Sequence, residues 1–310
     1  MKAPYAYDSV CILGPTACGK TALACALADE VQGEIISADS RQVYRGMDIG
    51  TGKDLSEYVV NGRSIPYHLI DIRDAGEKYN LYEYQHDFHE AFSAVCNRGR
   101  LPVICGGSGL YIEAVLKGFR LFDVAPNPEL RRRLQHHSLE ELTRLLRSYK
   151  ELHNTTDVDS VQRAIRAIEI AEYTSRMPAD RQEFEGLNSL IVGVEVDRDT
   201  RRQRISSRLE ARFAQGMLDE VQGLLDRGIQ SDDLIYYGLE YKFLTRHLLG
   251  EISYRQMFDE LEIAIHQFAK RQMTWFRGME RRGLKIHWLP WEMPTDEKLG
   301  FIAQHIAPGC

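Results

Sequence analysis

Short apolar runs alternate with a longer segment of helical periodicity in the first part of the chain. Residues 10–13, 34–39, 67–72 and 101–105 are apolar runs of strand length, and residues 81–96 repeat apolar positions at helical spacing. Strands that alternate with helices in this way favour a parallel sheet covered by helices. The predicted fold class is therefore α/β.

The pattern becomes helical near residue 119. Prolines interrupt residues 122–128, residues 129–173 follow with helical periodicity, and an apolar strand pattern returns at residues 190–194. A helical segment placed between two parts of an α/β sheet indicates an inserted domain. The expected division is an inserted all-helical domain, residues 119–186, and a core formed by residues 1–118 and 187–310.

The C-terminal region is also predicted to be mostly helical. One helix is expected over residues 199–227, ending before Gly228. A second is expected to begin at a capping box formed by Ser253 and Gln256 and to extend to about residue 283.

Composition and length are those of an ordinary globular protein. The chain has 310 residues, of which 44% are hydrophobic and 27% are charged, as in domains that bury a large core. It contains no run of about 18 apolar residues and no signal-peptide pattern, so we expect a cytoplasmic protein without a membrane partner. The six cysteines lack C-x-x-C spacing and indicate neither a zinc site nor a disulfide framework.

The charge is negative overall but positive in one segment. The net charge of −6 at pH 7 gives no global indication of nucleic-acid binding. Residues 270–285, however, contain six basic residues and a single acid, Glu280. On charge alone, this segment fits phosphate contacts and a solvated helix face equally well.

A glycine-rich loop motif follows the first predicted strand and leads into an alanine- and leucine-rich helix. Its pattern is G-x-x-x-x-G-K-[ST], and strand–loop–helix is the context that this motif requires. Such a loop binds a diphosphate or triphosphate with its backbone amides, while its lysine neutralises phosphate oxygens and its threonine hydroxyl binds magnesium. The motif predicts a phosphate site on a P-loop NTPase-like parallel sheet without identifying the phosphorylated molecule. Its residues are Gly14, Pro15, Thr16, Ala17, Cys18, Gly19, Lys20 and Thr21.

Asp39 ends the second predicted strand. In an open α/β sheet, ligands bind at the carboxyl ends of the strands, the edge that also carries the phosphate loop. Asp39 can therefore face the bound phosphates, or it can simply cap the turn that follows. The residue pattern alone leaves both possibilities open.

Six segments of the chain together resemble the bacterial tRNA dimethylallyltransferases, which prenylate the exocyclic amine of the adenosine next to the anticodon. The similarity extends over nearly the whole chain, and the segment around Asp39 is highly specific. The segments are residues 14–21, 36–51, 68–71 and 106–111, Arg163 with residues 166–169, and residues 269–277.

The resemblance implies a role for the phosphate loop and for Asp39. The loop would hold the diphosphate of dimethylallyl diphosphate, and Lys20 and Thr21, with Mg²⁺ bound at Thr21, would stabilise diphosphate as it leaves. Asp39 matches the general base of the family, which takes a proton from the adenine amine. The flipped-out adenosine would be held by Asp39, Ser40, Arg41, Gln42 and Ser108.

The resemblance also implies tRNA contacts, made to the anticodon stem-loop by a protein that we expect to be a monomer. The inserted domain would contact RNA through residues 162–166, and the basic segment through residues 270–277. These contacts are Gln162, Arg163, Ala164, Ile165, Arg166, Lys270, Arg271, Gln272, Trp275 and Arg277, with Tyr241 and Lys242 from a further family motif.

Three positions depart from the family pattern. Cys18 replaces a serine or similar small residue and Ser108 replaces a threonine, and both changes are conservative. Glu240 stands where the family commonly has the glycine of Gly-Tyr-Lys or Gly-Tyr-Arg. A substrate preference different from that of the family is therefore possible.

Three other functions remain as alternatives. The loop alone would suit a small-molecule kinase that uses ATP, which would not need the basic segment. A prenyltransferase acting on free adenine nucleotides would not need an RNA-facing inserted domain. A non-catalytic RNA-binding module would leave Lys20, Thr21 and Asp39 without a role.

Overall fold

The computed structural model describes residues 5–149, 156–177 and 184–307. The predicted helical stretch 129–173 includes residues 150–155, which lie outside the described residues. In chain order the strands are β1 (Ser9–Leu13), β2 (Glu34–Ser37), β3 (Val59–Val60), β4 (Arg63–Ser64), β5 (Tyr67–His68), β6 (Pro102–Gly106), β7 (Ser189–Glu195) and β8 (Ile286–Pro290).

Twelve α-helices lie within the described ranges, together with 3₁₀ helices at Leu55–Tyr58 and Thr156–Val158. The α-helices are α1 (Lys20–Glu30), α2 (Leu81–Asn97), α3 (Gly109–Leu116), α4 (Pro128–Leu134), α5 (Leu139–Tyr149), α6 (Val161–Thr174), α7 (Arg198–Ala214), α8 (Met217–Asp226), α9 (Ser231–Tyr237), α10 (Leu239–Leu248), α11 (Tyr254–Arg281) and α12 (Thr295–Ile306).

Six parallel strands form the central sheet in the order β5-β2-β6-β1-β7-β8. Successive residues of each strand point to opposite faces, so Cys11 and Leu13 enter one apolar core while Val10 and Ile12 enter the other. Both faces are therefore covered, as a parallel sheet requires, and the predicted α/β class is confirmed.

The chain divides into two compact units. The first comprises residues 1–119 and 186–310 and contains the sheet. The second comprises residues 120–185 and has its own apolar core, which includes Leu142, Leu146 and Ile168. None of the described helices is long and apolar enough to cross a membrane.

Three predicted elements differ from the structure. The strand expected over 67–72 ends at His68, because Leu69 and Asp71 adopt left-handed backbone conformations, with φ of 62° and 56°. The helix expected over 199–227 is two helices, which are separated at Gly216, where φ is 94°. The C-terminal region also contains β8, which joins the edge of the sheet, although the sequence pattern there had suggested mostly helix.

Candidate active site

The phosphate loop lies between β1 and α1, as its motif predicts. Gly19 precedes the helix in the left-handed conformation, with φ of 83°, and Lys20 is the first helical residue. The Lys20 ammonium lies 3.4 Å from the carbonyl oxygen of Pro15, so the side chain folds back across the loop.

A cavity of about 480 Å³ opens beside this loop. One wall consists of loop and α1 residues, including Lys20 and Thr21, and the opposite wall is a face of α7. Three basic side chains and two acidic ones surround the space, a balance that suits an anion accompanied by a divalent cation. The lining residues are Ala17, Gly19, Lys20, Thr21, Asp54, Glu57, Gln203, Arg204, Ser207 and Arg208.

Two arginines of α7 belong to this site and were missed by the sequence analysis. Arg204 Nε donates a 2.8 Å hydrogen bond to the carbonyl oxygen of Ala17, so it braces the phosphate loop directly. Its guanidinium also lies over the ring of Trp291, 4.7 Å from the centroid. Arg208 pairs with Asp54. The sequence shows only that Arg204 and Arg208 lie one turn apart on a predicted helix. It does not show that this side of the helix faces the phosphate loop.

The oxygen donors of the cavity fit a magnesium ion. The Thr21 hydroxyl and the carboxylates of Asp54 and Glu57 are hard ligands of the type that Mg²⁺ prefers. Burial, followed by the Asp54 carboxylate, raises the pKa of Glu57. Among the described residues, no group of three or more His, Cys, Asp or Glu side chains is arranged to hold a metal ion.

Asp39 lies in the turn directly after β2 and is partly exposed. Its Oδ1 accepts a 2.9 Å hydrogen bond from the backbone N–H of Arg41, so the carboxylate does cap this turn. Within the described part of the chain, no hydrogen bond involves Oδ2. One oxygen thus fixes the orientation of the carboxylate while the other remains available to a substrate.

Ser108 connects the Asp39 turn to the second glycine-rich turn, which follows β6. Its Oγ accepts a 3.1 Å hydrogen bond from the backbone N–H of Ser40, and its own N–H donates to the carbonyl oxygen of Ala38 over 3.2 Å. Strand register places the two turns at the same edge, because Ser37 pairs with Cys105. The phosphate loop also lies at this edge, because Leu13 pairs with Gly106.

Gln272 of α11 joins the second glycine turn to the phosphate loop. Its Oε1 accepts from the backbone N–H of Thr16 and its Nε2 donates to the carbonyl oxygen of Gly107, each over 2.9 Å. A side chain at Gly107 would clash, because its Cβ would lie 2.4 Å from Gln272 Nε2. The structure buries Gln272 and uses both ends of its amide inside the protein. Its contact with tRNA stays a prediction.

Trp275 connects α11 to α3. Its ring packs against Gly109, and its Nε1 donates a 3.0 Å hydrogen bond to the buried carboxylate of Glu113. Arg282 makes two 2.6 Å hydrogen bonds to the same carboxylate. The indole is therefore held between α3 and α11, and its contact with tRNA stays a prediction.

Tyr241 and Lys242 are neighbours in the chain, but Tyr241 is buried and Lys242 is exposed. Tyr241 is 2% exposed, packs against Gly50 and donates a 2.7 Å hydrogen bond to Glu220. The side chain belongs to the core, and its contact with RNA stays a prediction. Lys242 is exposed, with its ammonium 5.4 Å from the centroid of the Phe243 ring.

In the second unit, the predicted RNA-contacting residues divide between the surface and the core. Gln162 and Arg163 are exposed on α6, and Arg163 pairs with Asp159. Arg166 is half-buried and pairs with Glu169. Ala164 and Ile165 are buried in the core of this unit, and their contact with RNA stays a prediction.

Lys270, Arg271 and Arg277 are exposed on α11. Within the described ranges, none of the three has a carboxylate partner in an ion pair. Burial, followed by the charges of Arg277 and Arg198, lowers the pKa of Arg201 on α7. Uncompensated positive charge thus gathers near the contact between α7 and α11.

Two family models match the chain: IPP transferase over residues 42–279 and isopentenyl transferase over residues 8–68. A tRNA dimethylallyltransferase 1 of Porphyromonas gingivalis is 65% identical over 289 residues, covering 93% of this chain and 96% of the relative. A tRNA dimethylallyltransferase 2 of Bacteroides fragilis is 62% identical over 300 residues, covering 97% and 98%.

Solved structures are similar over nearly the whole chain. The tRNA isopentenylpyrophosphate transferase of Bacillus halodurans has a TM-score of 0.68 at 32% identity, and the match covers 96% of this chain and 95% of that one. A eukaryotic dimethylallyltransferase acting on tRNA has a TM-score of 0.75 at 19% identity, with coverage of 97% and 81%, and supports the fold alone.

Proposed function

The chain belongs to the tRNA dimethylallyltransferase family, and on that premise we propose that it transfers the dimethylallyl group of dimethylallyl diphosphate to a tRNA adenosine. The acceptor atom is the exocyclic amine of the adenosine on the 3′ side of the anticodon, at position 37, in tRNAs that recognise codons beginning with U. The products are prenylated tRNA and diphosphate. The enzyme is a prenyltransferase.

One observation carries this proposal: a continuous hydrogen-bonded connection from the Asp39 turn to the phosphate loop. Ser108 joins the Asp39 turn to the second glycine turn, and Gln272 joins that turn to Thr16. A carboxylate and an anion cavity thus lie at the same edge of one sheet, with the end of β6 between them. This is the arrangement needed for a reaction that removes a proton at one end and releases an anion at the other.

Asp39 acts on the nucleophile. The lone pair of an adenine amine is conjugated with the ring, so the nitrogen becomes reactive as its proton is removed. Asp39 accepts that proton while the nitrogen bonds to the allylic carbon, and its hydrogen bond from the N–H of Arg41 keeps the carboxylate oriented. Ser40, Arg41, Gln42 and Ser108 surround the adenosine on this side.

The cavity residues act on the leaving group. As the allylic carbon–oxygen bond breaks, negative charge develops on diphosphate, and Lys20, Arg204 and Arg208 provide cations that are already in place. Thr21, with Asp54 and Glu57 nearby, would hold Mg²⁺, which when bound neutralises further phosphate charge. Because the broken bond is on carbon, the loop serves transfer of a prenyl group and not of a phosphoryl group.

Transfer RNA binds through exposed positive and polar side chains on each unit. Lys270, Arg271 and Arg277 supply phosphate contacts on the first unit, while Gln162 and Arg163 supply contacts on the second. A protein with a net charge of −6 can bind RNA in this way because its uncompensated positive charge is local.

Incubation of the purified protein with labelled dimethylallyl diphosphate and magnesium tests the proposal. Three parallel reactions differ in the acceptor. The first contains unmodified tRNA that recognises codons beginning with U, the second contains AMP, and the third contains ATP. The expected result is label in tRNA alone. Label in AMP or ATP would instead indicate a prenyltransferase for free nucleotides, and consumption of ATP without prenyl transfer would indicate a kinase.

A further inference from the structure

Arg212 and Glu240 form a buried ion pair that the proposed mechanism does not use. Arg212 lies on α7 and Glu240 in the first turn of α10, and their side chains are 10% and 13% exposed. Nη1 and Oε1 are 3.7 Å apart, too far for a hydrogen bond. Arg212 Nε is buried without a hydrogen-bond partner in the part of the chain that the structure describes. The guanidinium is therefore held mainly by the charge of Glu240.

Arg212 packs directly against Gly52. A Cβ built on this glycine would lie 1.6 Å from Arg212 Nη2 and 2.9 Å from Arg208 Nη2, so two guanidinium groups occupy the space of a side chain. The backbone of Gly52 has φ of +65°, which also favours glycine. The position of this residue therefore depends on where Arg212 is held.

Gly52 lies between the two proposed substrate sites. On one side, its carbonyl oxygen accepts a 3.1 Å hydrogen bond from Nε2 of Gln42, which faces the adenosine. On the other side, two residues along the chain, Asp54 pairs with Arg208 at the diphosphate cavity. A shift of Gly52 would consequently disturb both sites together.

Each member of the Arg212–Glu240 pair affects the pKa of the other. Burial raises the pKa of Glu240, and the charge of Arg212 opposes this rise. Burial, followed by the charge of Arg208, lowers the pKa of Arg212, and Glu240 opposes this fall. Removal of either partner would leave a buried charge uncompensated, which is more costly than removal of both.

We propose that Glu240 and Arg212 are positioning residues that hold Gly52 against α7. With Gly52 in place, Gln42 is positioned to contact the adenosine and Arg208 to contact the diphosphate. The inference rests on the proposed function, since it concerns the substrates of the same site. It assigns a purpose to the acidic residue that stands at a position where the family pattern commonly has glycine.

A double-mutant cycle tests the pairing. R212M and E240G are each expected to raise the KM for tRNA and the KM for dimethylallyl diphosphate about tenfold, because coupled side chains interact strongly. The double variant R212M/E240G is expected to have KM values no higher than those of the worse single variant, because removal of one partner already releases Gly52. The size-preserving variants E240Q and R212K are assayed beside them. E240Q is expected to raise both KM values. R212K is expected to raise them less than R212M, because lysine keeps the positive charge but lacks the nitrogen that contacts Gly52.

A purely structural role would lower the melting temperature of the variants without changing either KM. Wild-type KM values in folded E240Q and R212M would therefore overturn the proposal, as would a double variant whose loss equals the product of the two single losses. The wild-type protein in the same assay separates this outcome from failure of the proposed function, in which no protein would transfer the prenyl group to tRNA.

Discussion

Gln272 shows how much of the site depends on a single neutral side chain. Its amide has a donor end and an acceptor end, and the structure uses them to join the second glycine turn to the phosphate loop. A carboxylate of the same shape could still accept from Thr16 but would place an oxygen against the carbonyl of Gly107. The two turns would then lose their shared support.

The variant Gln272→Glu should therefore bind diphosphate poorly. We expect the KM for dimethylallyl diphosphate to rise about ten- to a hundredfold, because a buried acceptor is left without its donor. Steady-state kinetics at varied concentrations of dimethylallyl diphosphate measures this KM. The matched control is Gln267→Glu, the same change at an exposed position of α11, and an equal KM in both variants would contradict the proposed bridge.

The phosphate loop and the Asp39 turn can be identified from the sequence, because each depends on the spacing of residue types within a short segment. Sequence analysis could not locate Arg204 or Arg208, since the face that α7 turns towards the cavity is decided by packing with distant segments. For the same reason, the sequence does not show that the fold buries Tyr241 and Gln272 and half-buries Trp275. Motif membership identifies a residue type and not the direction of its side chain.

Among the strands and helices, the alternation of apolar runs predicted most of the sheet, because fully buried parallel strands are short and continuous in hydrophobicity. Residues 69–72 were wrongly included in a strand. Asp71 has a left-handed backbone conformation and pairs with the fully buried ammonium of Lys53. The local sequence pattern does not predict this ion pair. Strand β8 was missed because its partner, β7, is nearly a hundred residues earlier in the sequence.

Glu34 ties the first residue of β2 to α2 and β5. Its carboxylate is 4% exposed, and it accepts hydrogen bonds from Arg98 Nε and Nη2 at 2.8 and 2.6 Å. His68 Nε2 lies 2.7 Å from the same group. The hydrogen bonds from Arg98 hold the pKa of Glu34 below its ordinary value, so the charged carboxylate stabilises this edge of the sheet.

The variant Glu34→Gln should lower the free energy of unfolding by about 1–3 kcal/mol near pH 7. Because the folded-state pKa is lowered, the contribution is present above the unfolded-state pKa and is lost as the pH falls through the folded-state pKa. Urea titrations at pH 7 and at about pH 3 should therefore show the difference from the wild type shrinking in acid. Glu30→Gln, an exposed change on α1, is the control. A pH-independent difference would contradict the account.

Considered as a whole, the chain combines a net negative charge with a local positive surface on α11. If Lys270 and Arg271 contact tRNA phosphates, their joint replacement by alanine should weaken binding and reduce the slope of log affinity against log salt by about one per lost contact. Filter binding over a range of salt concentrations measures both quantities. Arg255→Ala, a change near the start of the same helix at a side chain that is 93% exposed, is the control. Unchanged affinity and slope in the double variant would identify this surface as a solvated helix face.

In the proposed mechanism, the Asp39 carboxylate takes a proton from an adenine amine at the edge that also carries the diphosphate cavity. The most direct measurement is single-turnover prenyl transfer to tRNA by Asp39→Asn, together with its tRNA dissociation constant. The amide can still accept from the N–H of Arg41 but cannot serve as a base. We predict a transfer rate about 10² to 10⁴ times lower than that of the wild type, with tRNA affinity unchanged. A transfer rate close to that of the wild type would contradict the claim and remove Asp39 from the mechanism.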